Sequence, residues 1–114
     1  MATWDDVRAA ARDLPEVEEG TSWRQPALRV RGKWFAGLSS HEDGALVLRC
    51  DLDERPLMLA SLPDVFWSTP HYDGSPFILV RLEAIDLDEL VDRVTDSWLL
   101  SAPKRLRDTV VDAG

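Results

Sequence analysis

The stretch Ala27-Leu28-Arg29-Val30-Arg31-Gly32-Lys33-Trp34-Phe35-Ala36-Gly37-Leu38-Ser39 decides the fold. Leu28 and Val30 alternate with Arg29 and Arg31, which is the period of a strand with one buried face. Gly32-Lys33 suits a two-residue turn with glycine first. In that register Arg31 faces Trp34 and Val30 faces Phe35. Val30 and Phe35 then point into a core, while Arg29, Arg31 and Trp34 share the outer face. A slip of one residue in the turn exchanges the faces of Trp34 and Phe35.

The flanking segments extend this hairpin in both directions. Thr3 is the expected N-cap of a first helix, with Asp6 as its capping partner. Trp4, Val7, Ala11 and Leu14 recur at helical spacing until Pro15. Val17, Glu19, Thr21 and Trp23 fall on one face of an extended stretch, and Pro26 marks an edge or a turn. Asp43-Gly44 reads as a further hairpin turn before a strand from Ala45 to Cys50. Asp51 or Asp53 is expected to cap a short helix with Pro56 in its first turn. Val65 to Thr69 and Phe77 to Leu82 read as strands around a turn at His71-Tyr72-Asp73-Gly74. Asp86 and Glu89 open the clearest helix, whose expected buried stripe is Leu87, Leu90, Val91, Val94 and Trp98. Pro103 starts a last helical turn carrying Lys104, Arg105 and Leu106. The predicted order is helix, three strands, helix, two strands, helix. Hairpin connections make this an α+β domain, an antiparallel sheet of about five strands with helices packed on one face.

The 114 residues suit one domain, 1–114, with one core. Cys50 is the sole cysteine, so no internal disulfide forms, which fits a reducing cytoplasm. The first ten residues lack the pattern of a signal peptide, and the longest apolar run, Phe77 to Val80, is far too short for a membrane span. Acidic residues outnumber basic ones by 21 to 13, for a net charge of −8, which repels nucleic acid at long range. The exceptions are local. From Gly20 to His41 there is no acid, and that window carries Arg24, Arg29, Arg31, Lys33 and His41. A second acid-free window, Ser97 to Arg107, carries Lys104, Arg105 and Arg107. An anionic partner needs such a patch, because salt screens the rest of the molecule beyond about 10 Å.

Several short runs in a fixed order carry a family resemblance. Leu14-Pro15-Glu16-Val17-Glu18-Glu19 precedes Trp23 and Pro26, and Arg29 to Lys33 precedes Phe35-Ala36. Pro70-His71-Tyr72-Asp73-Gly74, Ser97-Trp98 and Ala102-Pro103-Lys104 follow. This succession resembles the MmcQ/YjbR-like family of small bacterial proteins. The resemblance implies a CyaY/frataxin-like two-layer α+β fold and a DNA-binding role in which two β-hairpin wings grip a duplex. It implies no catalytic residues and no cofactor.

Two functions then stand as expectations, neither of them enzymatic. In the first, Arg24, Arg29, Arg31, Lys33 and Trp34 hold the backbone of double-stranded DNA, assisted by Lys104 and Arg105, with low sequence specificity. Four or five phosphate contacts give a log–log salt slope of roughly −4. In the second, Trp23, Lys33, His71 and Tyr72 surround a pocket for a small anionic metabolite or an acidic protein partner. Either requires its cations to converge in space. A hydrolase triad around His71 is disfavoured, because no G-x-S-x-G elbow accompanies it. His41, His71, Cys50 and the acidic run near Asp51 show neither zinc nor calcium spacing.

Overall fold

The computed structural model describes residues 2–113, with side chains as far as Val110. Helix α1 (Trp4–Ala11) leads into strands β1 (Val17–Ser22), β2 (Gln25–Val30), β3 (Lys33–Leu38) and β4 (Leu46–Arg49). Helix α2 (Arg55–Ser61), strands β5 (Phe66–Trp67) and β6 (Phe77–Val80), and helices α3 (Leu87–Ser101) and α4 (Lys104–Ala113) follow. The six strands form one antiparallel sheet in the order β1-β2-β3-β4-β6-β5. The α+β class therefore holds, with four strands rather than three before α2 and a ten-residue α4 in place of a single turn.

The deciding hairpin keeps its faces but changes its turn. Arg31-Gly32, not Gly32-Lys33, forms the tip, with φ of +50° and +80°. Val30 therefore pairs with Lys33, and Arg29 with Trp34. A bulge then inserts Phe35 opposite the Leu28/Arg29 step, so that Leu28 pairs with Ala36. The extra residue sends two consecutive side chains, Phe35 and Ala36, into the core. Moving the two-residue turn by one position changes the pairing by two residues, which preserves the alternation, so Val30 and Phe35 still point inward and Trp34 outward. Trp34 and Gly37 become neighbours on the outer face. A Cβ on Gly37 would lie 2.8 Å from the Trp34 ring, so any side chain here requires that ring to shift.

The main core lies between the sheet and the helices. Phe35, Leu46, Leu48, Ile78 and Val80 meet Val7, Leu90, Val94 and Trp98 there. Thr3 and Asp6 form a reciprocal capping box that starts α1. The stripe of α3 departs from expectation: Leu87 and Val91 are 55% and 45% exposed, and Ser97 and Ser101 are buried in their place. Small serines let the helix approach the strands closely. Ser97 Oγ donates to the Phe35 carbonyl and accepts from Arg49 N at 2.9 Å. Such a bond satisfies backbone groups that a leucine would leave unpaired. At α2 the expected aspartate cap is replaced by Glu54, with no side-chain cap bond, while Asp51 Oδ1 accepts from Asp53 N. The expected strand at Val65 to Thr69 shortens to Phe66–Trp67, and that at Phe77 to Leu82 to Phe77–Val80.

Among the described residues no helix packs on the other face of the sheet. That face holds a smaller apolar cluster of Ala45, Val47, Tyr72 and Leu79, with Trp34, Trp67 and Phe77 packed against it. Arg49 and Arg81 lie over the rings of Phe77 and Trp67 at 4.9 and 4.2 Å. The guanidinium groups themselves cover the rings as cation–π partners, and that of Arg81 also donates to the Pro63 carbonyl at 3.2 Å.

Candidate functional site

Three connections converge above this helix-free face. The first joins β1 to β2. Ser22 pairs with Gln25, so the tip is Trp23-Arg24. Both residues are left-handed, at φ +51° and +67°, in a turn that ordinarily selects asparagine and glycine. Trp23 is thus not the last residue of a strand, as its spacing implied. It stands at a strained tip, 82% exposed.

The second and third connections are latched together. Ser39 Oγ accepts from the backbone N–H groups of His41 and Glu42 at 3.0 Å and bonds the Tyr72 hydroxyl at 2.8 Å. Ser39 and Tyr72 are buried, so this latch costs less to keep than to break. It brings His41 and His71 together from connections thirty residues apart: their rings stack with centroids 3.8 Å apart, and Tyr72 meets the His71 ring edge to face at 4.8 Å. Beneath the third connection lies Arg55, which is buried. Its guanidinium donates to the carbonyls of Phe77 (2.9 Å) and Tyr72 (3.1 Å) and to Ser68 Oγ (2.6 Å). Ser68 Oγ in turn donates to Asp73 Oδ1 at 2.6 Å. This network holds residues 68–77 as a unit.

Between the connections is a cleft of about 350 Å³. Trp34, Val47 and Phe77 form its apolar floor; Ser22, Trp23 and Arg29 form one wall, and Ser40, His41, His71 and Ser75 the other. Trp34 and Phe77 meet at 5.2 Å, nearly perpendicular. Arg29 is half-buried; one of its amino groups donates to the Thr21 carbonyl at 3.2 Å, and it has no carboxylate partner among the described residues. No aspartate or glutamate lines the cleft among the described residues, in a chain that has 21 of them.

The residues expected from sequence fall into three places. Trp23, Arg29, Trp34, His71 and Tyr72 line the cleft, and Lys33 does not. Arg24 and Lys33 are exposed on the hairpins, and no ion pair holds either among the described residues. Arg31 lies in its turn rather than on the outer face. Its guanidinium forks onto both Glu16 oxygens at 2.7 and 2.9 Å, and that hydrogen-bonded carboxylate pushes the Arg31 pKa up. Lys104 is bonded to Asp108 at 2.8 Å. Leu106 joins the main core, so α4, with Lys104 and Arg105, belongs to the helical layer and not to the cleft face. His41, Ser39 and Arg55 were not singled out as partners of His71. The acid-free window ending at His41 is the one sequence signal for Ser39 and His41, and none marks Arg55, because nothing local links residue 39 or 55 to residue 72.

Elsewhere, burial pushes the Cys50 thiol up, which keeps it protonated and inert. Among the described residues no three histidine, cysteine, aspartate or glutamate side chains gather as a metal site. No helix among them is long and apolar enough to cross a membrane.

Fold and face define a class: a small α+β protein with an open-faced antiparallel sheet and a cationic, aromatic cleft on the bare side. The family model for YjbR matches residues 12–100, and the chain belongs to that family. It is 29% identical to the uncharacterized proteins Rv2570 of Mycobacterium tuberculosis and Mb2600 of Mycobacterium bovis, over 93% of each chain. It is also similar to the crystal structure of Deinococcus radiodurans protein DR2400, which carries the DUF419 family domain. That likeness has a TM-score of 0.77 at 20% identity and covers 97% of this chain and 89% of the other. At that identity the likeness speaks to the fold alone.

Proposed function

We propose that the protein is a non-enzymatic binding module whose cleft takes a small anionic ligand. The observation that carries this is the absence of any acid from the lining of the cleft among the described residues, on a chain of net charge −8. Arg29, His41 and His71 supply donors from both walls, and the concave shape excludes a rigid duplex from the floor. Binding rather than catalysis is favoured because no serine of the cleft is bonded to an imidazole: Ser39 Oγ is taken by Tyr72, and Ser75 Oγ donates to the Tyr72 carbonyl. The proposal places the protein in the cytoplasm, where its single buried thiol needs no partner.

A second reading, a weak grip on double-stranded DNA, draws on Arg24, Arg29 and Lys33. Arg31 and Lys104 are engaged by carboxylates, so at most about three cations are available and the log–log salt slope is about −3. One titration tests both. Inorganic phosphate added to labelled protein is expected to move the His41 and His71 side-chain signals with a roughly millimolar Kd, the strength of a few exposed charge-assisted bonds. Silence of both imidazoles, alongside salt-dependent anisotropy with a generic duplex, replaces the first reading with the second.

A further inference from the structure

Resting on the anionic-cleft reading, we propose that the ligand is a phosphate monoester on a planar ring, with its phosphate held by the imidazole pair and Arg29 and its ring stacked on Trp23. The argument begins with the donors. Arg29 comes from one wall and His41 and His71 from the other. Donors facing each other from two walls suit the tetrahedrally arranged oxygens of a phosphate better than the two coplanar oxygens of a carboxylate. Among the described residues no carboxylate lines the cleft opposite the imidazoles; Glu42 and Asp73 flank them in the chain without lining it, and Asp73 is engaged by Ser68.

The ring is argued from Trp23. A tryptophan 82% exposed at a hairpin tip contributes almost nothing to the core. Its left-handed backbone, shared with Arg24, costs stability in a turn where asparagine and glycine would be free of strain. The indole nevertheless borders the same cleft as the two histidines. A large flat side chain kept at a cost over an anion site is the arrangement that adds stacking to charge recognition.

The test is calorimetric titration at fixed pH with inorganic phosphate, phenyl phosphate and AMP, which offer two spans between ring and phosphate, with phenol and adenosine as uncharged controls. The esters are expected to bind about tenfold more tightly than phosphate, the gain typical of one aromatic stack. Phenol and adenosine are expected to bind more weakly than any of the three. Trp23→Ala is expected to return both esters to within about twofold of phosphate. The Trp23 indole N–H signal is expected to move with the esters and not with phosphate, a readout that needs no variant. Esters no better than phosphate, or an ester preference that survives Trp23→Ala, overturn this inference while leaving the anionic cleft standing. If neither phosphate nor ester binds, both readings fall.

Discussion

Trp23 and Arg24 set a local conflict between stability and use. Two L-residues in the left-handed region cost about 1–2 kcal/mol each. Replacing the pair with Asn-Gly, the sequence this turn prefers, is expected to raise stability by about 1–2 kcal/mol in urea unfolding while abolishing the preference for planar esters. No change in the denaturation midpoint would mean that the tip carries no strain. Gly37 is the complementary case. Gly37→Ala drives a methyl into the Trp34 indole and is expected to tilt it off the cleft floor, at a cost of about 1–3 kcal/mol. Near-ultraviolet circular dichroism of the tryptophans checks that displacement. Neither role is legible in the sequence, because each rests on a backbone angle or a ring position that local spacing does not encode.

At the level of elements, the sequence is most informative where one face is buried. The alternation of Leu28 and Val30 with Arg29 and Arg31 gave the strand and the correct face for Arg29. The turn was displaced by one residue, because glycine is acceptable at either tip position and the bulge at Phe35 leaves no compositional trace. The cleft was legible in part. His71, Tyr72 and Trp23 stood out by type, whereas the latch from Ser39 and the brace from Arg55 depend on contacts across the sheet. Arg55 is the element-scale test. Its fork holds two carbonyls and a hydroxyl of the 68–77 connection. Arg55→Ala removes all three bonds and the packing of a buried side chain, while the Tyr72 carbonyl keeps its bonds from Ser75, so the expected loss is about 1–3 kcal/mol together with weaker phosphate binding. Arg55→Lys is expected to recover only part of both, since an ammonium cannot reproduce the fork. Thermal melts and the phosphate titration measure the two effects independently.

The whole molecule is acidic, and on the helical side one carboxylate sits at a disadvantage. Desolvation by burial pushes the Asp96 pKa up, and neighbouring acids add to this; Arg93, at 4.0 Å, only partly offsets it. A carboxyl with a folded pKa above its unfolded value supports the fold when protonated and loses that support as pH rises through the folded value. Asp96→Asn is therefore expected to shift the urea midpoint upward at pH 7, with the gain disappearing below the ordinary carboxylate range. An equal gain at both pH values would assign the effect to packing instead. Because the sheet separates the main core from the cleft, the two sides answer to different constraints. The helical side holds the main core, and the proposed ligand cleft lies on the bare side, assembled from the tips of three connections. Under the proposed reading, substitutions at those tips alter the cleft without touching the interior, so the ligand and the fold are open to change one without the other.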